Sequence, residues 1–350
     1  MVFTVENILI LILIIIGIVL ALIFIYGNNE KSYISREFYS LGTLNQLKVS
    51  GRNSNKAINE SIKKLCEIDN KMSVFKEDSE ISKINKYAGD QARIVSKDTY
   101  YVIEKAIKYC SLSKGAFDIT IRPIVGLWGI GKEGAKVPNI NEIKEKLRAV
   151  NYKDIVIDKK NNSIFLKNEK QEIDVGGIAK GFAADEVRNI MLKNKIKSAL
   201  INLGGNIFAI GTKGDGTEWI VGIQNPLKTR GEFVLTINVI NKSVVTSGSY
   251  ERYFESGGKR FHHIINPSTG YPSESDIMSA TIISDNSIDG DGLSTGVYIM
   301  GVQKAMKLIE EIKGIDAIFI TKNKEVYVTS GLSATVTLTN NEFSYKKLDL

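Results

Sequence analysis

The sequence predicts an α+β fold: mixed, largely antiparallel sheets with flanking helices, preceded by one transmembrane helix. Three observations predict it. From about residue 155 onward short apolar runs alternate with turn residues, so that strands outnumber helices and several run as hairpins. Before that point apolar residues recur at helical spacing, as in Ile58, Ile62, Leu65 and Met72. At the start, Ile8 to Tyr26 is an uncharged apolar run long enough to cross a bilayer as a helix.

The elements follow in order. Residues 1–30 form the anchor, with its span at about 8–26, and 31–37 a polar linker; 38–350 form the soluble domain. The apolar run is longer than a signal-peptide core and no small-x-small cleavage site follows it, so an uncleaved single-pass anchor in the cell membrane is expected, carrying the domain outside the cytoplasm. Glu6 before the span and Lys31 and Arg36 after it weakly favour the opposite orientation by charge alone. Phe38 to Lys48 reads as a strand interrupted at Leu41-Gly42-Thr43. Helices are expected over about 55–70, 98–113 and 141–150, the last capped by Asn141. Residues 155–157 and 164–166 flank Lys160-Asn161-Asn162, a hairpin signal, and a helix follows over 178–193. Strands are expected over 200–210, 219–224, 233–239, 244–246, 262–265 and 280–284. Helices at about 292–301 and 303–313 then precede a final hairpin over 317–321 and 325–329.

The chain has 350 residues, room for one large domain or two medium ones. Its net charge of +7 comes from lysines spread along the chain, with no basic stripe or known module, so no nucleic-acid partner is expected. An attraction to anionic headgroups or substrates fits better. Cys66 and Cys110 fall in expected helices and read as small buried apolar groups, although a disulfide outside the cell stays open. With His262 and His263 the only histidines, no zinc-type spacing exists.

The stretch Glu172-Ile-Asp174-Val-Gly-Gly177-Ile-Ala-Lys180-Gly-Phe-Ala-Ala-Asp185 runs through two glycines into an amphipathic helix. Free N–H groups at a helix start, small residues and one lysine make a place for a phosphate. Lys180 in the first turn is unfavourable unless an anion offsets it. The bland alternative is a strand–helix turn and nothing more. Asp289-Gly-Asp291-Gly-Leu-Ser-Thr295 offers hard oxygen ligands for a magnesium-type ion, with Asp291 and Thr295 at i, i+4 on one helical face. The same residues could equally cap a helix. His262-His263 precede the turn Asn266-Pro267-Ser-Thr269-Gly270 and become proton carriers if the cradle is real. Phe75, and Phe117 and Asp118 in Gly115-Ala116-Phe117-Asp118, supply rings and a carboxylate near helix ends.

Together these segments resemble the ApbE-type flavin transferases. Leu41-Gly42-Thr43, Met72 to Ser82, Gly115 to Thr120, Leu127-Trp-Gly129, Asp174 to Gly181, Asn202 to Asn206, Thr246 to Tyr250, His263 to Gly270 and Asp291 to Thr295 occur in the family's order over roughly 38–335. Any one is weak; the ordered set is specific. The resemblance implies an ApbE/T-fold-like domain that moves FMN from FAD onto a threonine or serine of an acceptor protein. It implies that Leu41, Phe75, Ala116, Phe117, Asp118, Asp174, Lys180 and Ile265 line the FAD site. Magnesium would be held by the Gly177 carbonyl and the side chains of Asp291 and Thr295. Ser294 stands where some members carry aspartate, Leu41 where methionine is frequent, and Asn266 where aspartate usually precedes Pro267.

The expected reaction is magnesium-dependent transfer with release of AMP. The catalytic set is His263 as base, with Asp291 as its fallback, and Lys180 supplying positive charge. The expected partners are FAD and an acceptor flavoprotein subunit, a membrane-associated redox protein. Two other functions compete: an FAD pyrophosphatase with water as nucleophile, and a membrane-anchored flavin binder. The binder would not need Asp291 and Thr295; the chemistry of the residues alone does not separate the two enzymes.

Overall fold

The strands of the central sheet follow one another across it in chain order. A computed structural model describes residues 12, 14–19, 32–332 and 335–348. Among these, nine strands form one sheet: Tyr33–Ser40, Thr43–Ser50, Ser198–Leu203, Asn206–Ile210, Ser243–Gly248, Ile277–Ser284, Ile315–Thr321, Glu325–Val328 and Ser344–Tyr345. Neighbours are antiparallel except the last pair, which is parallel. The largely antiparallel α+β architecture is the expected one.

Alternation along the strands divides the interior in two. On Ile315–Thr321, Ala317 and Phe319 join the core under the helices, whereas Ile318 and Ile320 join a second core. The first core packs the helices Ser54–Met72, Lys97–Leu112, Ala179–Lys193 and Ser287–Met300 on one face of the sheet. The second lies against a three-stranded sheet of Trp219–Gln224, Phe233–Val239 and Val336–Leu338. The helices on the first core's face carry Asp185 and Asp291.

Several expected boundaries move. Residues 33–37, expected as linker, are the first half of a strand that pairs with Thr43–Ser50 through a two-residue turn. Both turn residues have positive φ, Leu41 at 54° and Gly42 at 69°, as a tight hairpin requires. The expected strand over 200–210 is two strands, because Gly204 and Gly205 make the same kind of turn at φ 62° and 95°. The helix Ile140–Leu147 is capped by Asn139, not Asn141: the Asn139 side chain and Glu142 form a capping box. The expected strand over 262–265 is instead Lys259–His262, paired with Tyr253–Ser256. Ser287–Met300 begins about five residues earlier than its apolar pattern, since its first turns are glycines and polar residues. Glu80–Lys86 and Arg122–Trp128 are helices the periodicity did not reveal; Pro123 opens the second and Gly129, at φ 62°, ends it.

Cys110 is buried as expected but Cys66 is exposed, and both are free. The 8–26 span lies mostly outside the described residues. Residues 14–19 are helical, and among the described residues no helix is long and apolar enough to cross a membrane.

Candidate active site

Two helices meet at their N-termini and cap each other. Asp185, on Ala179–Lys193, accepts from the Ser287 and Ile288 N–H groups at 2.8 and 3.0 Å. Asp291, on Ser287–Met300, accepts from the Gly181 N–H at 2.8 Å through Oδ2. Neither helix has a side-chain cap from its own N-cap residue, Ile178 or Asn286, so each borrows a carboxylate from the other. The approach needs Gly181: a Cβ there would lie 2.4 Å from the Ser287 carbonyl oxygen and 2.7 Å from Asp291 Cβ. Burial raises the Asp185 pKa, and the two N–H donors and Arg188 oppose that rise.

With Oδ2 engaged, Asp291 Oδ1 lies 3.9 Å from Lys180 Nζ. Lys180 also donates to the Gly176 carbonyl at 3.2 Å. Thr295 sits one turn beyond Asp291, and its Oγ1 is 4.0 Å from where a Gly177 Cβ would stand. The residues expected to hold magnesium are therefore gathered at one place: one carboxylate, one hydroxyl and one backbone segment. Among the described residues no cluster of three or more His, Cys, Asp or Glu exists. A donor set this sparse fits Mg²⁺, which keeps waters and takes further oxygens from substrate phosphates. Asp289 is not part of it: Tyr109 and Lys105 donate to Oδ1 and Asn286 donates to Oδ2. Ser294 donates to the Asp291 carbonyl and shares a 2.9 Å hydrogen bond with Ser247, whose hydroxyl also lies 3.3 Å from Thr295 Oγ1.

The turn after Lys97–Leu112 reaches the same place. Phe117 is buried, and its ring edge would lie 3.0 Å from a Cβ on Gly177. The Asp174 N–H donates to the Ile119 carbonyl at 2.7 Å, tying the glycine turn to this loop. Asp174 Oδ1 then accepts from the Gly176 N–H. Asp118 is buried and accepts from the Thr120 N–H and hydroxyl and from the Tyr152 N–H. Burial raises its pKa against those donors. Ala116 is half-buried, and a cavity of about 400 Å³ opens beside Asp118, lined also by Gly115, Tyr152 and Ser268.

Phe75 is 67% exposed, with Lys132 Nζ 4.1 Å and the Arg122 guanidinium 5.4 Å from its ring centre. Leu41 packs on the main core from the hairpin tip. Ile265 is buried in a separate cluster with Ile124, Trp128 and Ile143.

The two histidines part company. His262 donates from Nε2 to the Ser273 carbonyl and accepts the Ile264 N–H at Nδ1, which satisfies its ring structurally. His263 Nδ1 faces the Arg252 carbonyl at 3.2 Å. A carbonyl only accepts, so Nδ1 carries the proton and Nε2 keeps its lone pair. His263 as a whole is half-buried. Burial, with Arg252 and Lys180 adding to it, pushes its pKa down to about 3, so the imidazole is neutral. Local sequence pattern assigns no role to Asp185, Ser247, Arg252 or Arg122, because their partners are distant in the chain: Asp185 meets Ser287 and Ile288, Ser247 meets Ser294, and Arg252 meets His263.

The antiparallel sheet, covered on one face by helices whose starts cap each other, defines the protein's class as α+β. The chain belongs to the ApbE family, whose family model matches residues 41–319. A FAD:protein FMN transferase of Klebsiella pneumoniae is 37% identical over 74% of this chain and 80% of its own. One of Treponema pallidum is 34% identical over 87% and 89%. Among solved structures, the ApbE protein of Thermotoga maritima superposes with a TM-score of 0.79 at 31% identity, covering 86% of this chain and 98% of that one. The flavin transferase ApbE of Vibrio cholerae gives 0.78 at 27%, covering 87% and 100%.

Proposed function

We propose that this enzyme transfers FMN from FAD to a threonine or serine hydroxyl of an acceptor protein and releases AMP, with Mg²⁺ required. The observation that carries this reading is the convergence of Lys180, Asp291, Thr295 and the Gly177 turn at two helix N-termini. A pyrophosphate placed there meets Lys180, whose charge otherwise opposes the helix dipole. A magnesium ion held by the Gly177 carbonyl, Asp291 and Thr295 would act as a Lewis acid on the phosphate oxygens.

The chain's own groups do the rest. Lys180 adds positive charge beside the phosphorus that gains negative charge in the transition state. His263 Nε2 takes the proton of the acceptor hydroxyl as its oxygen bonds to the FMN-side phosphorus. The bond from that phosphorus to the bridging oxygen breaks, and AMP leaves with the oxygen. Pyrophosphate charge near Lys180 offsets one of the cations that depress the imidazole, so His263 is a better base with substrate bound than without it. Phe75 offers an exposed ring face, and Asp118 fixes the loop that carries Ala116 and the buried Phe117 ring beside Gly177.

The test incubates the full-length chain with FAD, Mg²⁺ and a candidate acceptor domain, following acceptor mass and AMP together. A mass gain matching FMN with equal AMP, lost on chelation, is expected. AMP and free FMN without mass gain would make the enzyme a pyrophosphatase. The apolar run 8–26 is proposed to tether the domain to the cell membrane on its outer side, near a membrane-associated redox acceptor. Resistance to alkaline extraction, with protease sensitivity in spheroplasts, is the expected result.

A further inference from the structure

Asp185 closes the stretch that opens with Glu172, yet it touches no part of the expected ligand site. It is 8% exposed, and both its oxygens are used: Oδ1 by the Ser287 N–H, Oδ2 by the Ile288 N–H. Those are the first two residues of the helix that carries Asp291 and Thr295. The arrangement repeats itself with roles exchanged. Gly181 and Asp185 are four apart on one helix, Ser287 and Asp291 four apart on the other, and each N–H donates to the carboxylate opposite. Residues four apart share a face, so both bonds lie in one helix-to-helix seam. The seam admits no slack, because Gly181 lies against the backbone of Ser287 and Ile288.

We propose that Asp185 is a positioning residue for the cation site: by capping Ser287–Met300 it fixes that helix against Ala179–Lys193 and so aims Asp291 Oδ1 and Thr295 Oγ1. This rests on the magnesium reading given above. Asp291 can present one oxygen to a cation only while the other is held by Gly181, and that hold requires the register set by Asp185. The Ser287 hydroxyl, bonded to Ser243 and Asn206, anchors the same helix start to the sheet, so the helix stays folded when the carboxylate is lost. The loss is then one of aim rather than of structure.

The experiment compares full-length wild type with Asp185→Ala and Asp185→Asn. It reads Mg²⁺ binding by calorimetry with FAD present, FAD binding by flavin fluorescence in chelator, and thermal melting. Partners that orient metal ligands typically contribute about 10–100-fold in affinity. Asp185→Ala should weaken Mg²⁺ binding about ten-fold or more, with metal-free FAD affinity within about two-fold and a cooperative melt. Asp185→Asn, which keeps one acceptor oxygen, should fall between and fold even if the alanine variant does not. Raised Mg²⁺ should restore part of the turnover of either variant. Wild-type Mg²⁺ affinity in both variants overturns the positioning role, as does equal loss of metal and flavin binding. No Mg²⁺ binding by wild type overturns the cation site itself, a different failure.

Discussion

The Gly181 N–H donates to the Asp291 carboxylate at 2.8 Å, joining residues 110 apart in the chain. One carboxylate thus caps one helix while sitting in the first turns of another, and its second oxygen is left facing Lys180. Its structural and chemical roles can be separated by substitution. Asp291→Asn keeps an acceptor for Gly181 and should melt near wild type while losing about 100-fold in turnover. Asp291→Ala leaves a buried N–H unpaired and should also lose about 1–3 kcal/mol of stability. Chemical unfolding beside rate measurements checks both; an active asparagine variant would remove the carboxylate from the chemistry.

Glycine 181 gives a steric counterpart. Gly181→Ala puts a methyl 2.4 Å from the Ser287 carbonyl, so the helices must separate. A cost of about 1–3 kcal/mol with reduced turnover is expected. Gly126→Ala makes the contrast: this exposed helical glycine has only Arg122 Nη1 near, at 4.0 Å. It should stabilise by about 0.5–1 kcal/mol and leave activity alone. Urea midpoints for the two variants should move in opposite directions.

His263 makes a pH prediction. Its folded pKa, about 3, lies below the ordinary histidine value of 6.5. Between these values the unfolded chain binds a proton that the folded one does not, so stability falls as pH falls from about 6.5 towards 3. Above 6.5 both states are neutral and the group contributes nothing. His263→Gln should flatten the acid side of the stability curve in that window. It should also lower turnover about 10²–10⁴-fold with little change in FAD affinity. Parallel curves for variant and wild type would show the imidazole to be protonated normally.

Phe75 tests the flavin face. Because it is exposed and lies beside Lys132 and Arg122, Phe75→Ala should leave the melting temperature nearly unchanged. Loss of a ring contact of this kind corresponds to about 0.5–1 kcal/mol, a several-fold rise in KM for FAD with kcat kept. A change in kcat alone would place Phe75 in the chemistry instead of the binding surface.

What the sequence determined by itself was local. Periodicity located the helices around 54–72, 97–112 and 179–193, and turn residues marked the hairpin at 158–163, because both signals lie within a few residues. The i, i+4 spacing correctly put Asp291 and Thr295 on one face of a helix. The ordered segments carried the family. Where a local pattern is silent, it misled: glycines hid the start of Ser287–Met300, and an apolar run hid the turn at Gly204-Gly205. What only the tertiary structure decided was which of several equivalent polar groups is free. Asp289 and Asp291 look alike in sequence, yet Tyr109 and Lys105 engage the first while Gly181 engages one oxygen of the second. His262 and His263 are adjacent, yet only one has a ring nitrogen left over after its backbone partners are counted. Hydrogen-bonding capacity is used up by partners brought from elsewhere in the chain, so reactivity follows from the packing of distant segments and not from the identity of the residue.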